Sequence, residues 1–429
     1  MKESFLHFVW QYGLFDHKNL RCSEGKVLEI AQRGQLNTDG GPDFAMAQVR
    51  LNSMLLAGAV EIHVKSSDWF AHKHQDDPAY NNTILHAVYL HDTEVRTQSG
   101  HSPATLELQH RIPKGMYGDF DTLLSQFHFP SCAGHTPDFS AIKEAWLQHP
   151  LQLRLQHKAQ QIDQVVRESQ GDWEAVFYRV LARSLGGKVN AQAMDTLCSA
   201  APLSLIRKMQ EDPFQLEAFL LGQAGLLPAK TQDSYVQALI KEARYLQHKH
   251  QVSPMNPAAW KYLRMRPAGF PDMRIAQFAA LLYKKYPMFR SLMECRSLDQ
   301  AKMLLSAEAS PFWTAHYTLR DSSTSHSTHI GESALQHLLI NAVLPTLYAY
   351  GQHLRQPKTM NKALDWLSQL PPENNKYTRV FEKLGMPNRH AAQSQAILGL
   401  KTEYCDRKQC LQCPVGMRII SKKPVPSDM

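Results

Sequence analysis

The sequence predicts an α+β protein in which a mixed α/β amino-terminal part precedes a large all-helical region and a short cysteine-rich end. Three observations lead to this prediction. Apolar residues at every second position, the period of a strand, occur mainly before residue 115. From about residue 138 the apolar spacing changes to three and four residues, the period of a helix. Three of the seven cysteines stand close together at Cys405, Cys410 and Cys413.

The length and the change of pattern also predict three parts. A chain of 429 residues is longer than one average domain. We expect a mixed α/β core over residues 1–135, an all-helical domain over residues 136–400, and a metal-binding cysteine tail over residues 401–429.

Charge and composition indicate a compartment and a class of partner. The formal net charge is +8. An excess of basic residues fits a polyanionic partner, and nucleic acid is the first candidate. The sequence has no apolar run of about eighteen residues, so we predict no membrane span. The first residues do not have the pattern of a signal peptide. The cysteines are odd in number and mostly scattered, which favours reduced thiols in the cytoplasm.

The amino-terminal part is predicted as a helix followed by strands and short helical segments. Its first residues place apolar side chains at helical spacing, and a Gly/Pro-rich loop over residues 35–42 separates the first strand from the next two. The predicted elements are a helix over 4–14, strands over 26–31, 45–52 and 54–65, helical segments near 67–70 and 79–83, and strands over 84–90 and 104–108.

The later region is rich in Leu, Gln, Ala, Arg and Lys and lacks β-branched runs, so it is predicted to be helical throughout. Clusters of Gly, Pro and Ser divide it. The predicted helices lie near residues 140–169, 172–184, 190–198, 202–211, 213–224, 231–249, 257–263, 272–286, 298–306, 331–353, 360–368 and 389–399.

The candidate site lies in residues 40–69, where a Gly-Gly-Pro turn delivers Asp43 to the start of a predicted strand. Residues two apart in a strand share a face. Glu61, His63 and Lys65 therefore lie on one face of the next strand, which pairs with the first as a hairpin. Carboxylates that converge from neighbouring strands are suitable ligands for Mg²⁺ or Mn²⁺.

These residues suggest metal-assisted hydrolysis of a phosphodiester. Asp43 and Glu61 would hold Mg²⁺ or Mn²⁺, and Lys65 or His63 would supply the cation or base that assists an attacking water. The alternative is a solvated strand face whose charges form a cross-strand ladder.

The same residues resemble the PD-(D/E)XK nuclease superfamily over about residues 1–115. In that superfamily the core is a helix, three strands, a helix and a strand, with one acid opening a strand and an acid-x-lysine in the next. The Pro-Asp dipeptide ending at Asp43 matches the first element. The tripeptide that starts at Glu61 matches the second, with His63 in place of lysine and Lys65 two residues later. The resemblance implies a restriction-endonuclease-like core and a nuclease, or a member that lost catalysis.

Nearly the whole chain is similar to an uncharacterised bacterial family known only as a domain of unknown function. The similarity rests on the GPDF motif at residues 41–44, the VEIHVKSSDW motif at residues 60–69, the basic–aromatic stretch over residues 264–274 and the cysteine-bearing end. That family implies no established activity.

Two further histidines, His72 and His74, follow the second strand of the hairpin. Imidazole and carboxylate together bind Zn²⁺ or Mn²⁺, so a zinc hydrolase built on His63, His72 and His74 is one alternative. In a nuclease, His72 and His74 would instead contact the scissile phosphate or transfer protons. A chance pair is the third possibility, because the chain has 21 histidines.

The cysteine end has the spacing of metal ligands at Cys405, Cys410 and Cys413. Zn²⁺ or an iron–sulfur cluster normally takes four ligands, so the fourth is expected to be Cys132, Cys22 or a histidine. Reduced thiols on a loop and a redox-active CxxC are the alternatives.

The best basic–aromatic stretch, residues 260–274, carries Arg264, Arg266 and Arg274. Arginine suits bidentate contact with phosphate, and aromatic rings suit base stacking. These arginines, and Lys408 beside the cysteines, are predicted to contact nucleic acid. The alternative is a loop with buried aromatic rings whose arginines pair with acids.

Together the patterns predict a divalent-metal-dependent nuclease that acts on DNA, in repair or genome defence, and they leave the choice between DNA and RNA open. The alternative is a nucleic-acid-binding or scaffold protein with the same fold and no catalysis, as the missing acid-x-lysine suggests. No membrane partner is expected, and the oligomeric state stays open.

Overall fold

A computed structural model of the chain describes residues 1–37, 40–125, 129–135, 144–283 and 285–421. The chain divides into two compact units, Met1–Lys143 with Lys401–Met429, and Glu144–Leu400. The predicted boundary after residue 135 adjoins residues 136–143, which lie outside the described residues. A sheet in the first unit and helices in the second confirm an α+β protein with an amino-terminal sheet and a large helical region.

One sheet forms the centre of the first unit. Its order is β1-β3-β4-β5-β6, with the short β2 also paired to β3. Strands β1, β3 and β4 are antiparallel neighbours, whereas β5 and β6 run parallel to β4. The strands are β1 (Leu28–Gln32), β2 (Gln35–Leu36), β3 (Phe44–Leu51), β4 (Met54–Lys65), β5 (Thr83–Leu90) and β6 (Ala104–Glu107).

A tight turn fixes the register of the hairpin that carries the candidate site. Leu51 of β3 pairs with Met54 of β4 across the two-residue turn Asn52-Ser53. Asn52 has φ +53°, a left-handed conformation that asparagine adopts more readily than most residues. The side-chain period of two then carries this register along β4 to the site.

Three helices of the first unit are α1 (Glu3–Tyr12), α2 (Asp68–Ala71) and α3 (Met116–Ser125). The apolar residues of α1, with Phe5, Val9 and Trp10 fully buried, form one hydrophobic core with β-strand residues such as Phe44 and Ile62. Helix α1 also contacts β4. Burial of these aromatic rings supplies the main favourable contribution to this core.

The second unit is helical, as predicted, but its helices differ from the prediction in places. Residues 257–263 hold only the 3₁₀ turn Pro257–Ala259, α11 and α16 were not predicted, and a π-helical segment, Leu339–Val343, interrupts the long helix expected over residues 331–353. The helices are α4 (Glu144–Glu168), α5 (Trp173–Leu185), α6 (Gly187–Ala200), α7 (Leu203–Met209), α8 (Pro213–Gln223), α9 (Ser234–His250), α10 (Pro271–Leu282), α11 (Met288–Glu294), α12 (Leu298–Leu305), α13 (Glu332–Leu338), α14 (Leu344–His353), α15 (Pro357–Gln369), α16 (Lys376–Lys383) and α17 (Ala391–Leu400).

The carboxyl-terminal segment belongs to the first unit, whereas the sequence suggested a separate tail. Its helix α18 (Pro414–Ser421) buries Met417 and Ile420 in the same hydrophobic core as α1. Among the residues that the structure describes, no helix has both the length and the apolar character needed to cross a lipid bilayer.

Candidate functional site

Asp43 and Glu61 hold each other in place across the β3–β4 hairpin. The backbone N–H of Asp43 donates to Glu61 Oε2 at 3.0 Å. In return, the N–H of Ile62 donates to Asp43 Oδ2 at 2.9 Å. The structure thus brings together the two carboxylates that the sequence singled out.

The backbone around Asp43 is shaped for this contact. Gly41 has φ +106°, a value that residues with a Cβ rarely adopt, so a glycine is needed in the turn before Asp43. The pairing register shifts between Phe44 and Ala47, and Met46 there has φ +58°. Such bulges redirect side chains and are common beside functional sites.

Glu61 is almost fully buried and faces histidines. Its Oε1 lies 3.1 Å from His74 Nε2 and 3.6 Å from His63 Nε2. Burial raises the pKa of Glu61, and the neighbouring His74 acts in the opposite direction. A buried carboxylate in contact with imidazoles needs a compensating positive charge.

His63 links three imidazoles in a row. Its Nδ1 lies 2.8 Å from His86 Nε2, and its Nε2 lies 3.0 Å from His72 Nδ1. His63 and His86 are fully buried. Burial and neighbouring histidines lower the pKa of His63 to about 2 and that of His86 to about 3. Both rings are therefore neutral near pH 7, the form that binds a metal ion.

Aromatic rings close one side of this histidine cluster. Trp69, fully buried at the start of α2, makes edge or tilted contacts with His63, His74 and His86. Tyr80 stacks on His74 with ring centroids 3.8 Å apart. These contacts restrict the orientations of the imidazoles and keep water away from that side.

A second group of possible ligands comes from α1. The ligand atoms of Glu3, His7 and Asp43 lie within 4.8 Å of one another, as do those of His63, His72 and His74. Sequence reasoning missed Glu3 and His7, although their spacing of four residues places both on one face of α1.

Burial and neighbouring charges change the pKa values of His7 and Glu3. His7 Nε2 lies 3.2 Å from Asp43 Oδ2. Burial lowers the pKa of His7, but Asp43 and the other carboxylates outweigh this effect and raise it overall. Burial also raises the pKa of Glu3. The second group therefore combines an imidazole whose pKa is raised with carboxylates.

Two close nitrogen–oxygen contacts in the site are not aligned as hydrogen bonds. His74 Nε2 and His7 Nε2 are buried without a hydrogen-bond partner, although each lies within 3.2 Å of a carboxylate oxygen. Atoms about 2.1 Å from one ion lie roughly 3.0–3.4 Å from their neighbours around it. The contact between Glu61 and His74 therefore fits two ligands that point at a common ion, whereas Asp43 raises the pKa of His7 and so favours a proton on that ring.

Lys65 lies apart from this cluster. Its side chain is exposed, and its backbone N–H donates to Asp68 Oδ2 at 2.9 Å. Residues four apart in a strand are separated by about 13 Å, so Lys65 lies well along β4 from Glu61. Among the described residues, His7 is the cationic group nearest to the role expected of a lysine, since it contacts Asp43 directly.

The cysteines of the carboxyl-terminal segment lie in the first unit. All seven cysteines are free. Cys22, one candidate for a fourth ligand, is buried in the hydrophobic core, whereas Cys132 lies in the 3₁₀ turn Ser131–His135. Lys408 Nζ donates to Ser131 Oγ at 2.7 Å, so its ammonium group is engaged within the protein.

Two of the three predicted nucleic-acid-binding arginines line a groove of the second unit. The groove has a volume of about 730 Å³, and Arg266 and Arg274 line it together with one carboxylate, Glu332. Burial lowers the pKa of Arg274, and no carboxylate of the described residues acts on it. Its Nη1 donates to Gln277 Oε1 at 2.8 Å. Arg264 is exposed and is not part of this lining.

Comparison with known proteins gives a family but no activity. A family described as "Protein of unknown function (DUF2851)" matches residues 3–376. No curated protein and no solved structure matches the chain.

Proposed function

The chain belongs to the family of proteins of unknown function designated DUF2851, and for this member we propose a divalent-metal-dependent hydrolase that cleaves phosphodiester bonds, with DNA as its preferred substrate. The observation that carries the proposal is the meeting of His63, His72 and His74, together with the contacts that Glu61 makes with His63 and His74. A buried carboxylate and imidazoles in such contact are a donor set for a transition-metal ion.

The donor set bears on which ion would bind. Two carboxylates alone would suit Mg²⁺, which prefers oxygen ligands and keeps several waters. Three imidazoles favour Mn²⁺ or Zn²⁺. We therefore propose Mn²⁺ or Zn²⁺ ahead of Mg²⁺, held by Glu61, His63, His72 and His74.

Side chains of the protein would supply the remaining catalytic roles. A bound ion lowers the pKa of its water and offsets charge on the phosphate in the transition state. Asp43 holds His7, and His7 would donate a proton to the leaving oxygen. In this proposal His7 takes the cationic role that a PD-(D/E)XK nuclease gives to lysine, and Lys65 is too far along β4 to take it.

The order of elements supports the nuclease resemblance. The chain begins with helix α1 and continues with the antiparallel strands β1, β3 and β4. The short helical segments after Lys65 come next, and the parallel strand β5 follows them. The resemblance implies a helix, three strands, a helix and a strand, with acids at the positions of Asp43 and Glu61. This resemblance rests on element order and a few residues, so the proposed function rests on the site.

Nucleic acid is the proposed substrate because of charge. The net charge of +8 favours a polyanion. Arg266 and Arg274 line a groove in the second unit, where the desolvated guanidinium of Arg274 has no carboxylate partner among the residues that the structure describes. Phosphate would supply the missing negative charge, with bidentate contacts to arginine.

A second candidate is a DNA-binding scaffold without catalysis. It is favoured by two observations: His63 stands where the lysine of the acid-x-lysine pattern is expected, and Lys65 is exposed and distant from Glu61. The two candidates differ in metal dependence, since a scaffold would bind DNA equally well in a chelator.

The test is cleavage of labelled single-stranded and duplex DNA and RNA with Mn²⁺, Zn²⁺, Mg²⁺ or EDTA. Glu61→Gln should lower the rate by at least about 100-fold, because it removes a group that holds the ion. The matched control is Glu29→Gln, an exposed carboxylate of β1 that pairs with Arg50, and its rate should be unchanged. Equal cleavage by Glu61→Gln and the wild type would reject the proposed site.

A further inference from the structure

The carboxyl-terminal segment folds into turns that gather three cysteines. Cys405 ends a π-helical segment, Cys410 opens a 3₁₀ turn and Cys413 directly precedes α18. The backbone N–H of Lys408 donates to the carbonyl of Cys405 at 3.2 Å, and that of Cys413 to the carbonyl of Cys410 at 3.3 Å.

A glycine permits this compact arrangement. A Cβ on Gly416 would come within 2.1 Å of the carbonyl oxygen of Cys410, a distance that no real side chain could keep. The first turn of α18 therefore packs directly against the loop that carries Cys410 and Cys413.

A fourth thiol, Cys132, comes from a distant part of the chain. Ser131 accepts a hydrogen bond from Lys408 Nζ at 2.7 Å, which places the turn of Cys132 against the cysteine loop. Cys132 and Cys410 also pack against the same hydrophobic core. The turn Ser131–His135 contacts α18 as well.

The thiols are close enough to affect one another's ionisation. Burial, followed by Cys413 and Cys410, raises the pKa of Cys132 to about 12. Burial, followed by Cys413, Cys132 and Cys410, raises the pKa of Cys405. These mutual effects mean that the sulfurs of Cys132, Cys405, Cys410 and Cys413 lie near one another.

The sulfur of Cys413 has hydrogen-bond donors beside it. The backbone N–H groups of Val415 and Gly416 donate to this sulfur. Such donors commonly support a thiolate that binds a metal.

The spacing of the sulfurs distinguishes two kinds of centre. A single tetrahedral zinc ion, with bonds of about 2.3 Å, sets its sulfur ligands about 3.8 Å apart. The four sulfurs are not among the groups within 4.8 Å of one another in the described part of the chain. A wider arrangement suits a centre of several metal ions, and Cys₄ ligation is typical of iron–sulfur clusters.

We propose that Cys132, Cys405, Cys410 and Cys413 hold an iron–sulfur cluster that fastens the carboxyl-terminal segment to the first unit. The cluster would fix α18, whose Met417 and Ile420 complete the hydrophobic core. It would bind independently of the ion proposed at Glu61 and does not depend on phosphodiesterase activity.

The experiment measures iron, acid-labile sulfide and zinc in anaerobically purified full-length protein, with its visible absorption spectrum. The wild type should contain iron and sulfide in equal amounts. Cys132→Ala should lose both, whereas the matched control Cys22→Ala, a buried thiol of the same unit outside the group, should keep them. Glu61→Gln should also keep them.

Two results would overturn the proposal. Wild-type protein that carries zinc without iron or sulfide would reject the iron–sulfur assignment, and this result needs no variant to fold. Full iron and sulfide in Cys132→Ala would reject the set of ligands. As a second readout, removal of the cluster should speed tryptic cleavage in residues 401–408, and an unchanged rate would reject the fastening role.

Discussion

His74 Nε2 lies 3.1 Å from Glu61 Oε1, and the two atoms are not aligned for a hydrogen bond. The same relation holds between His7 Nε2 and Asp43 Oδ2, 3.2 Å apart. Buried polar atoms usually have a hydrogen-bond partner, so the orientation of His74 Nε2 beside the buried Glu61 needs an explanation. An ion explains the contact between Glu61 and His74, because the ligands of an ion point at it and not at one another.

The histidines of the cluster should determine metal affinity. His74→Ala should weaken binding of Mn²⁺ or Zn²⁺ by at least about 10–100-fold, because the change removes a proposed ligand. Calorimetric titration of metal-free protein measures this. His101→Ala, an exposed histidine in the same unit, should bind as the wild type does. Unchanged affinity in His74→Ala would count against the site.

Acid should destabilise the metal-free protein before most carboxylates titrate. His63 and His86 have a folded pKa of about 2 and about 3, below the usual 6.5. The unfolded state therefore binds protons that the folded state does not. Their contribution to stability is fully present above pH 6.5 and is lost as the pH falls below it, at about 1.4 kcal/mol per pH unit for each group.

A variant isolates this contribution from opposing ones. The pKa values of His7 and Glu61 are raised, so these two groups act in the opposite direction. His86→Gln should reduce the slope of unfolding free energy against pH by about 1.4 kcal/mol per unit below pH 6.5. Urea unfolding at several pH values measures the slope, and an identical slope in the variant would contradict the burial of a neutral His86.

The protonated form of His7 should be needed for cleavage. The rate should fall as the pH rises through the pKa of His7, which Asp43 and its neighbours raise above 6.5. His7→Gln should be slower and should lack that dependence. In Asp43→Asn the decrease in cleavage rate should occur at lower pH, since Asp43 raises the pKa of His7. A wild-type pH profile in His7→Gln would remove His7 from the mechanism.

The arginines allow a matched comparison of DNA binding. Arg274→Ala should weaken binding and reduce the dependence of log Kd on log salt by about one phosphate contact. Arg264→Ala should change neither, because Arg264 does not line the groove. Equal effects of the two changes in a binding titration at several salt concentrations would reject the groove as the contact surface.

The strands could be read from the sequence because local pattern and tertiary structure agree there. Alternating apolar residues and the Asn52-Ser53 turn specify β3 and β4, and the observed strands match the prediction closely. The pairing of Asp43 with Glu61 followed from the same alternation. Parallel pairing of β4 with β5 did not, because it depends on a crossover rather than on a local signal.

Tertiary contacts overrode local preference elsewhere. Residues 257–263 have a helical pattern, but Asn190 Nδ2 donates to the carbonyl of Lys261 at 2.8 Å, and Asn190 Oδ1 accepts from the N–H of Lys261 at 2.9 Å. These bonds take up the backbone groups that a helix would use. No local pattern in residues 257–263 indicates a contact with a residue about seventy positions away.

Only part of the candidate site could be predicted from the sequence, for the same reason. The residues of one hairpin share a strand period, so Asp43, Glu61 and His63 could be grouped. Glu3 and His7 join them only because α1 packs against β4. Sequence spacing also favoured Lys65, whereas distance along the strand separates it from Glu61.

The central claim is that one ion binds among Glu61, His63, His72 and His74. The most direct measurement is anomalous diffraction from crystals of protein loaded with Mn²⁺ or Zn²⁺. The account predicts a peak about 2.1 Å from Glu61 Oε1, His63 Nε2, His72 Nδ1 and His74 Nε2. No peak at that position in fully loaded protein, with the metal found only at the cysteines or on the surface, would contradict it.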